Sequence, residues 1–292
     1  MNAEHAEIWL EVALNGAWGR DRQPLIPISV RDIIAEGIAC ARAGAAIVHI
    51  HAYDEKSGLP SDDAELYIAI IEGIRAEVDA IVYPTVAFKG EDRYAFLDRL
   101  AGRGLLEWMS LDPGSVNLSH FADMEAGRPG TIYANEEKTV RRGLELARDY
   151  GLVPSFACYE PGFIRMGAAL HRAFPEILQP IYRLMFSDRM SFGFPPLPHY
   201  LETYRRLLEE EAPAAPVMIA GLDVNIDGLV PYAVSTGMHV RVGLEDAHLR
   251  SPVSNIELVH RAVAKLPGRP ATANDVRAVT ARSAIQTQEK QA

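Results

Sequence analysis

The stretch from Gly44 to Val86, GAAIVHIHAYDEKSGLPSDDAELYIAIIEGIRAEVDAIVYPTV, reads as one complete structural repeat. A short apolar run, Ala46–His51, gives way to a helical pattern at Ala64–Val78, and a second apolar run follows at Ile81–Val86. Short β-like runs alternating with longer helical segments are what successive βα units require. The same alternation continues on both sides. Further strands are expected at Ile8–Ala13, Trp108–Leu111, Val153–Tyr159, Ile181–Phe186, Val217–Gly221 and His239–Gly243. Further helices are expected near Val30–Ala43, Arg93–Ala101, Glu136–Tyr150, Gly167–Phe174, Tyr200–Glu211, Gly228–Thr236 and Ile256–Leu266. Eight such alternations without a Gly/Ser-rich linker predict one α/β domain over residues 1–292, a (β/α)8 or TIM barrel. An open doubly wound sheet is the alternative, because strand order is not written in a single sequence. Two connections are long and irregular: Gly16 to Ser29, and Ser187 to His199 with Gly193, Pro195, Pro196 and Pro198. Loops of this kind often serve as lids or binding segments.

Bulk properties narrow the function classes. Apolar residues make up 48% of the chain and charged residues 23%, a balance that fills an ordinary globular core. Only the polar tail, Gln286 to Ala292, is expected to be loose. A net charge of -10 argues against a nucleic-acid partner, which needs a basic face. It leaves room for small anionic substrates held by a local basic pocket. Cys40 and Cys158 are far apart and lack metal-ligand spacing, so neither a disulfide framework nor a zinc–cysteine site is expected. Met1 to Glu7 shows no basic region followed by an apolar run, hence no signal peptide is expected. No run of about 18 apolar residues marks a membrane span. The cytoplasm is the expected location.

Polar residues collect at the strand ends. His49 and His51, Thr85, Asp112, Tyr159 and Glu160, Asp188, Asp223, and Glu245 with Asp246 all fall at or just past the carboxyl end of a strand candidate. That is the face where barrel active sites form, although any chain turns polar where its strands end.

The sharpest signal is Ile47-Val48-His49-Ile50-His51-Ala52-Tyr53-Asp54. Residues two apart in a strand share a face, so both imidazoles project together and make good ligands for zinc or another divalent cation. One core histidine and one loop histidine would be the plainer explanation. Glu245 follows His239-Val240-Arg241-Val242-Gly243-Leu244 at the end of the last strand, which in a closed barrel pairs with the first. It is the third ligand candidate; alone, Glu245-Asp246 would read as helix N-terminal charge. Two histidines and a carboxylate leave coordination positions open for substrate. After the fourth strand, Asp112-Pro113-Gly114-Ser115-Val116-Asn117 could present amides and hydroxyls to an anion, though a plain turn explains it about as well.

These residues resemble the β-keto acid cleavage enzymes over nearly the whole chain. The likeness runs through Leu14-Asn15-Gly16-Ala17, Gly44 to His51, Gly58-Leu59-Pro60, Gly114-Ser115-Val116-Asn117 and Tyr159-Glu160. It closes with His239-Val240-Arg241-Val242-Gly243-Leu244-Glu245-Asp246 and Ser254-Asn255. The resemblance implies a (β/α)8 barrel with zinc on His49, His51 and Glu245. It implies a 3-keto acid that reacts with acetyl-CoA to give acetoacetate and a new CoA thioester. Asp246, Arg241 and Glu160 would belong to the catalytic group, with Ser115, Asn117 and Thr85 in the substrate pocket. Members commonly assemble as homo-oligomers, often tetramers.

The chain also departs from the family pattern. Tyr53 stands where an arginine often follows the second histidine. Ala17 or Trp18 falls where aminohexanoate-cleaving members carry a glutamate for the substrate amino group. Pro84 unsettles the register beside Thr85, and the elements after the sixth and seventh strands differ, at Ser187-Asp188-Arg189-Met190-Ser191 and Gly221-Leu222-Asp223. Trp18 and Tyr53 could face a quaternary ammonium by cation–π attraction, or Trp18 simply fills the volume beside a short apolar substrate. A metal-dependent hydrolase or aldolase, and a metal-binding barrel without turnover, remain alternatives on the same fold.

Overall fold

The computed structural model describes residues 7–87, 90 and 92–289. Its first half runs β1 (Leu10–Ala13), α1 (Val30–Arg42), β2 (Ile47–Ile50), β3 (Ala52–Asp54), β4 (Leu59–Ser61), α2 (Ala64–Arg75), β5 (Ile81–Pro84), α3 (Ala95–Gly102) and β6 (Trp108–Leu111). There follow β7 (Val116–Leu118), α4 (Phe121–Glu125), β8 (Thr131–Tyr133), α5 (Glu137–Tyr150), β9 (Val153–Cys158), α6 (Pro161–Ala173) and β10 (Ile181–Phe186). The chain ends with α7 (Pro198–Glu211), β11 (Val217–Gly221), α8 (Val230–Ser235), β12 (His239–Val242), α9 (Asn255–Val263) and α10 (Ala273–Glu289).

Eight parallel strands lie in the order β5-β2-β1-β12-β11-β10-β9-β6. The first strand therefore sits between the second and the last, as a barrel requires and an open doubly wound sheet does not. The ring is nearly closed. At the seam β6 packs beside β5, where the Ser110 hydroxyl donates to the Pro84 carbonyl at 3.1 Å. Pro84 has no N–H to give a ladder, so a side chain spans the seam instead. Its register against β2 is nonetheless definite, with His49 opposite Tyr83 and Ile50 opposite Pro84.

Strand alternation sorts the side chains into an outer and an inner set. Leu10, Val12, Val48, Ile50, Val82, Leu111, Leu184 and Val240 belong to the large core that includes Ile33, Ile71 and Val259 of the surrounding helices. The inner set is layered along the barrel axis. Trp9, Ile47, Ile81, Trp108, Val153, Ile181 and Met218 fill the amino-terminal end, where Ala273 and Val276 of α10 cover them. Two residues further along, seven of the eight strands place Glu11, His49, Tyr83, Ser110, Ser155, Arg183 and Arg241, all buried and all polar, while β11 places Ala220 there. The barrel is thus apolar at its floor and ionic below its mouth.

The helices are placed by ordinary signals. The Ser29 hydroxyl caps α1 by accepting from the Asp32 N–H at 3.0 Å, and Pro161 and Pro198 open α6 and α7. Gly151, at φ 63°, ends α5, and a Ser254–Glu257 capping box starts α9. Several elements differ from the sequence expectation. The hairpins β3–β4 and β7–β8 and the short α4 lie within segments expected as loops, and α6 starts at Pro161 instead of near Gly167. α10 continues to Glu289, so the start of the expected loose tail is helical; residues 290–292 lie outside the described residues. Among the described residues no helix is long and apolar enough to cross a membrane.

Candidate metal centre and active site

His49 and His51 stand edge to face with ring centres 5.2 Å apart. Glu245 Oε2, from the turn after β12, lies 3.4 Å from His49 Nε2 and 3.5 Å from His51 Nε2. One ligand atom from each residue falls within 4.8 Å of the others. Among the described residues, His51 Nε2 and Glu245 Oε2 are buried without a hydrogen bond of good geometry. Buried polar atoms left so are uncommon, and a cation between them would satisfy both. Two imidazoles and a carboxylate fit a divalent metal and leave coordination positions free. Burial pushes the His49 imidazole well below its ordinary 6.5, against the pull of Glu245, so it is neutral and ready to ligate at pH 7.

The ligands are held by local backbone chemistry. The Asn15 side chain accepts from the His51 N–H at 3.0 Å and donates to the His51 carbonyl at 2.9 Å. Asn255 accepts from the Leu244 N–H at 2.7 Å and donates to the Leu14 carbonyl at 2.8 Å, tying the Glu245 turn to β1. Gly243, at φ 149°, passes so close to β1 that a Cβ there would lie 2.0 Å from the Ala13 carbonyl oxygen. Gly16, at φ 62°, faces the ligand itself: a Cβ would stand 2.6 Å from Glu245 Cγ.

Arg241 links this cluster to the barrel interior. It contacts Glu245 Oε1 at 2.8 Å, both oxygens of Asp246 at 2.9 and 2.8 Å, and Glu11 Oε1 at 3.1 Å. Burial disfavours a charged Glu245, but the Arg241 guanidinium beside it outweighs burial and holds the carboxyl well below its usual range. For Asp246 burial wins over Arg241, and the carboxyl is pushed up to about 6. Below Arg241, Glu11 accepts from the Tyr83 hydroxyl at 2.7 Å, and Arg183 donates to Tyr83 and to Ser155 at 2.5 and 3.1 Å. Glu11, Tyr83 and Arg183 were not singled out from the sequence. A charge inside an otherwise apolar strand, as in Leu10-Glu11-Val12 and Tyr182-Arg183-Leu184, was the signal available.

The remaining sequence candidates are dispersed. Glu160 Oε1 accepts from the Gly193 N–H at 3.1 Å and so anchors the 187–199 loop. Ser115 accepts from the Asn135 N–H at 2.8 Å, and Asn117 is exposed on β7, where its carbonyl accepts from the Ser191 hydroxyl at 3.2 Å. Thr85 is half-buried just past β5, and its N–H donates to the Ile50 carbonyl at 3.2 Å. Tyr53 is fully buried with Ile26 and Leu244, its hydroxyl spent on the Gly16 carbonyl at 2.5 Å. Trp18 packs in another cluster with Met190, Phe192 and Leu222, and its indole N–H donates to the Glu245 carbonyl at 2.7 Å. The Arg22 guanidinium lies over that indole, 4.7 Å from the ring centre. An aromatic pair open to a quaternary ammonium is therefore not what these residues form: one ring is buried as a strut, and the other already carries a cation.

Fold and cluster together define a TIM-barrel protein with a two-histidine, one-carboxylate site at the carboxyl-terminal mouth. Comparison with protein families matches residues 7–281 to the beta-keto acid cleavage enzymes, and the chain belongs to that family. It is 28% identical over 271 residues to the 3-keto-5-aminohexanoate cleavage enzyme of Fusobacterium nucleatum, covering 89% of this chain and 92% of the relative. It is 27% identical over 245 residues to the 3-oxoadipate:acetyl-CoA acetyltransferase of Cupriavidus necator, covering 81% and 79%. Among solved structures, a ternary complex of ObcA with a C4-CoA adduct and oxalate shares the fold, with a TM-score of 0.70 at 18% identity over 88% of this chain and 68% of that one.

Proposed function

We propose that this protein converts a 3-keto acid and acetyl-CoA into acetoacetate and a new acyl-CoA, with a divalent cation, zinc first among candidates, on His49, His51 and Glu245. The observation that carries the reading is the convergence of these three ligands beside the buried Arg241–Asp246 pair. The acetyl-CoA named for the Cupriavidus necator relative supports the choice of co-substrate.

A cation bound there would supply Lewis acidity to the keto oxygen. Arg241 engages Glu245 through Oε1, which leaves Oε2 turned to the histidines. Asp246, raised to about 6, is still ionised at neutral pH yet more basic than an ordinary aspartate. It takes the proton from the carbon between the keto and carboxyl groups. That carbon attacks the thioester carbonyl; the new carbon–carbon bond forms as the carbon–sulfur bond breaks and CoA thiolate leaves. The thiolate then attacks the original keto carbon, the bond to the former nucleophile breaks, and Asp246 returns its proton to acetoacetate. The acyl remainder departs as the new thioester.

Mass spectrometry of the zinc-loaded protein with acetyl-CoA and a panel of 3-keto acids tests the reading. Acetoacetate with one matching thioester, absent for His49→Ala, is the expected result. No thioester from any panel member would overturn it.

A further inference from the structure

We infer that a cleft of about 640 Å³ beside the mouth, bordered by Arg22, Arg189 and Arg250, holds the phosphate groups of the CoA thioester. This rests on the acetyl-CoA reading above. Phosphates of such a co-substrate sit at the far end of a long flexible arm from the sulfur. Their site must share the mouth with the metal cluster but lie to one side of it. The cleft meets that condition: Trp18 bonds the Glu245 carbonyl at 2.7 Å, Arg22 stacks on Trp18, and the Arg250 N–H donates to the Arg22 carbonyl at 3.0 Å.

Three observations favour an anion there. Among the described residues, the guanidinium groups of Arg22 and Arg250 come within 4.0 Å of no carboxylate, Arg22 feeling Asp123 only at longer range, although the chain carries a net charge of -10 and pairs most of its other arginines. The acids of the cleft are largely spoken for. Asp123 is gripped by Arg128 at 2.5 Å, and Asp223 lies 3.2 Å from His120 Nε2 and 3.5 Å from Arg189; Asp188 is the exposed remainder. Lastly, among the described residues the non-glycine positions at positive φ, Asp223 at 53° and Arg250 at 60°, both border this cleft. Such conformations are uncommon and gather at binding sites. Asp223 holds the arrangement by accepting from the Leu249 N–H at 2.7 Å, next to Arg250.

Calorimetric titration of the zinc-loaded full chain with CoA, and with pantetheine, which lacks the phosphates, tests the inference. The variants are Arg22→Gln, Arg250→Gly and the double substitution; glycine suits the backbone at 250, so misfolding is not the expected cause of a loss. Each single variant should bind CoA about tenfold more weakly, the double more weakly still, with pantetheine unaffected. The salt dependence of CoA binding should flatten in the double variant. Wild-type CoA affinity in all three variants would overturn the inference while leaving CoA binding intact. So would unchanged CoA affinity with an altered sedimentation coefficient, which would make the arginines a subunit contact. A wild-type protein that binds no CoA would overturn the acetyl-CoA reading itself.

Discussion

Arg241 grips both oxygens of Asp246, at 2.9 and 2.8 Å, with a guanidinium that also reaches Glu245 Oε1 at 2.8 Å. One side chain thus fixes the proposed base relative to a proposed metal ligand. The geometry is specific to arginine, whose planar fork offers parallel donors that a lysine ammonium lacks.

Removing that fork should cost stability as well as chemistry. Arg241→Ala leaves Glu11, Glu245 and Asp246 with less compensation in a buried layer, and about 3–5 kcal/mol of unfolding free energy should be lost. Arg241→Lys should fall between it and the wild type. Urea unfolding of the apo proteins measures this; a loss below about 1 kcal/mol for Arg241→Ala would contradict the network.

Metal content should follow the three ligands. After zinc loading and desalting, elemental analysis should find about one equivalent in the wild type and little in His49→Ala, His51→Ala or Glu245→Gln. Equal zinc in all four proteins would place the metal elsewhere.

Gly16 offers a subtler probe. Gly16→Ala puts a methyl group 2.6 Å from Glu245 Cγ at φ 62°, so it should weaken zinc binding by about tenfold or more. Gly58→Ala, also at positive φ but with open space around it, should leave zinc affinity unchanged. Competition with a chelator of known affinity distinguishes the two. Similar losses in both would point to backbone strain instead of pressure on Glu245.

His239 should make stability depend on pH. It is buried against Trp9, with ring centres 3.9 Å apart, and its Nδ1 accepts the Trp9 N–H at 3.1 Å. Burial drives it down to about 3 from an ordinary 6.5. Below pH 6.5 the unfolded chain takes up a proton that the folded chain refuses, so stability falls as pH drops toward 3. Between pH 7 and 5 the loss from this group should be about 2 kcal/mol. His239→Asn keeps an acceptor and should lose that share, His49 being common to both proteins. Parallel pH profiles for the two would refute the assignment.

Much of this is legible in the sequence alone. The eight runs from Ile8–Ala13 to His239–Gly243 carry the strands, because a buried strand writes its burial into consecutive apolar residues. His49, His51 and Glu245 were readable for a related reason: a period of two puts side chains on one face, and a closed ring makes the last strand a neighbour of the first. Less was legible wherever partners are distant in sequence. Nothing local said that Glu11 meets Arg183 and Arg241, 172 and 230 residues away, or that Asn255 steadies the Glu245 turn. The fates of Tyr53, buried as a strut, and Trp18, covered by Arg22, depended on which loops fold over the mouth. The sequence by itself determined the strand and helix order and the residue types able to hold a metal, since both follow from local periodicity and side-chain chemistry. Only the tertiary structure decided which charges share the barrel interior and which arginines border the cleft beside the mouth, because those depend on contacts made by closing the ring.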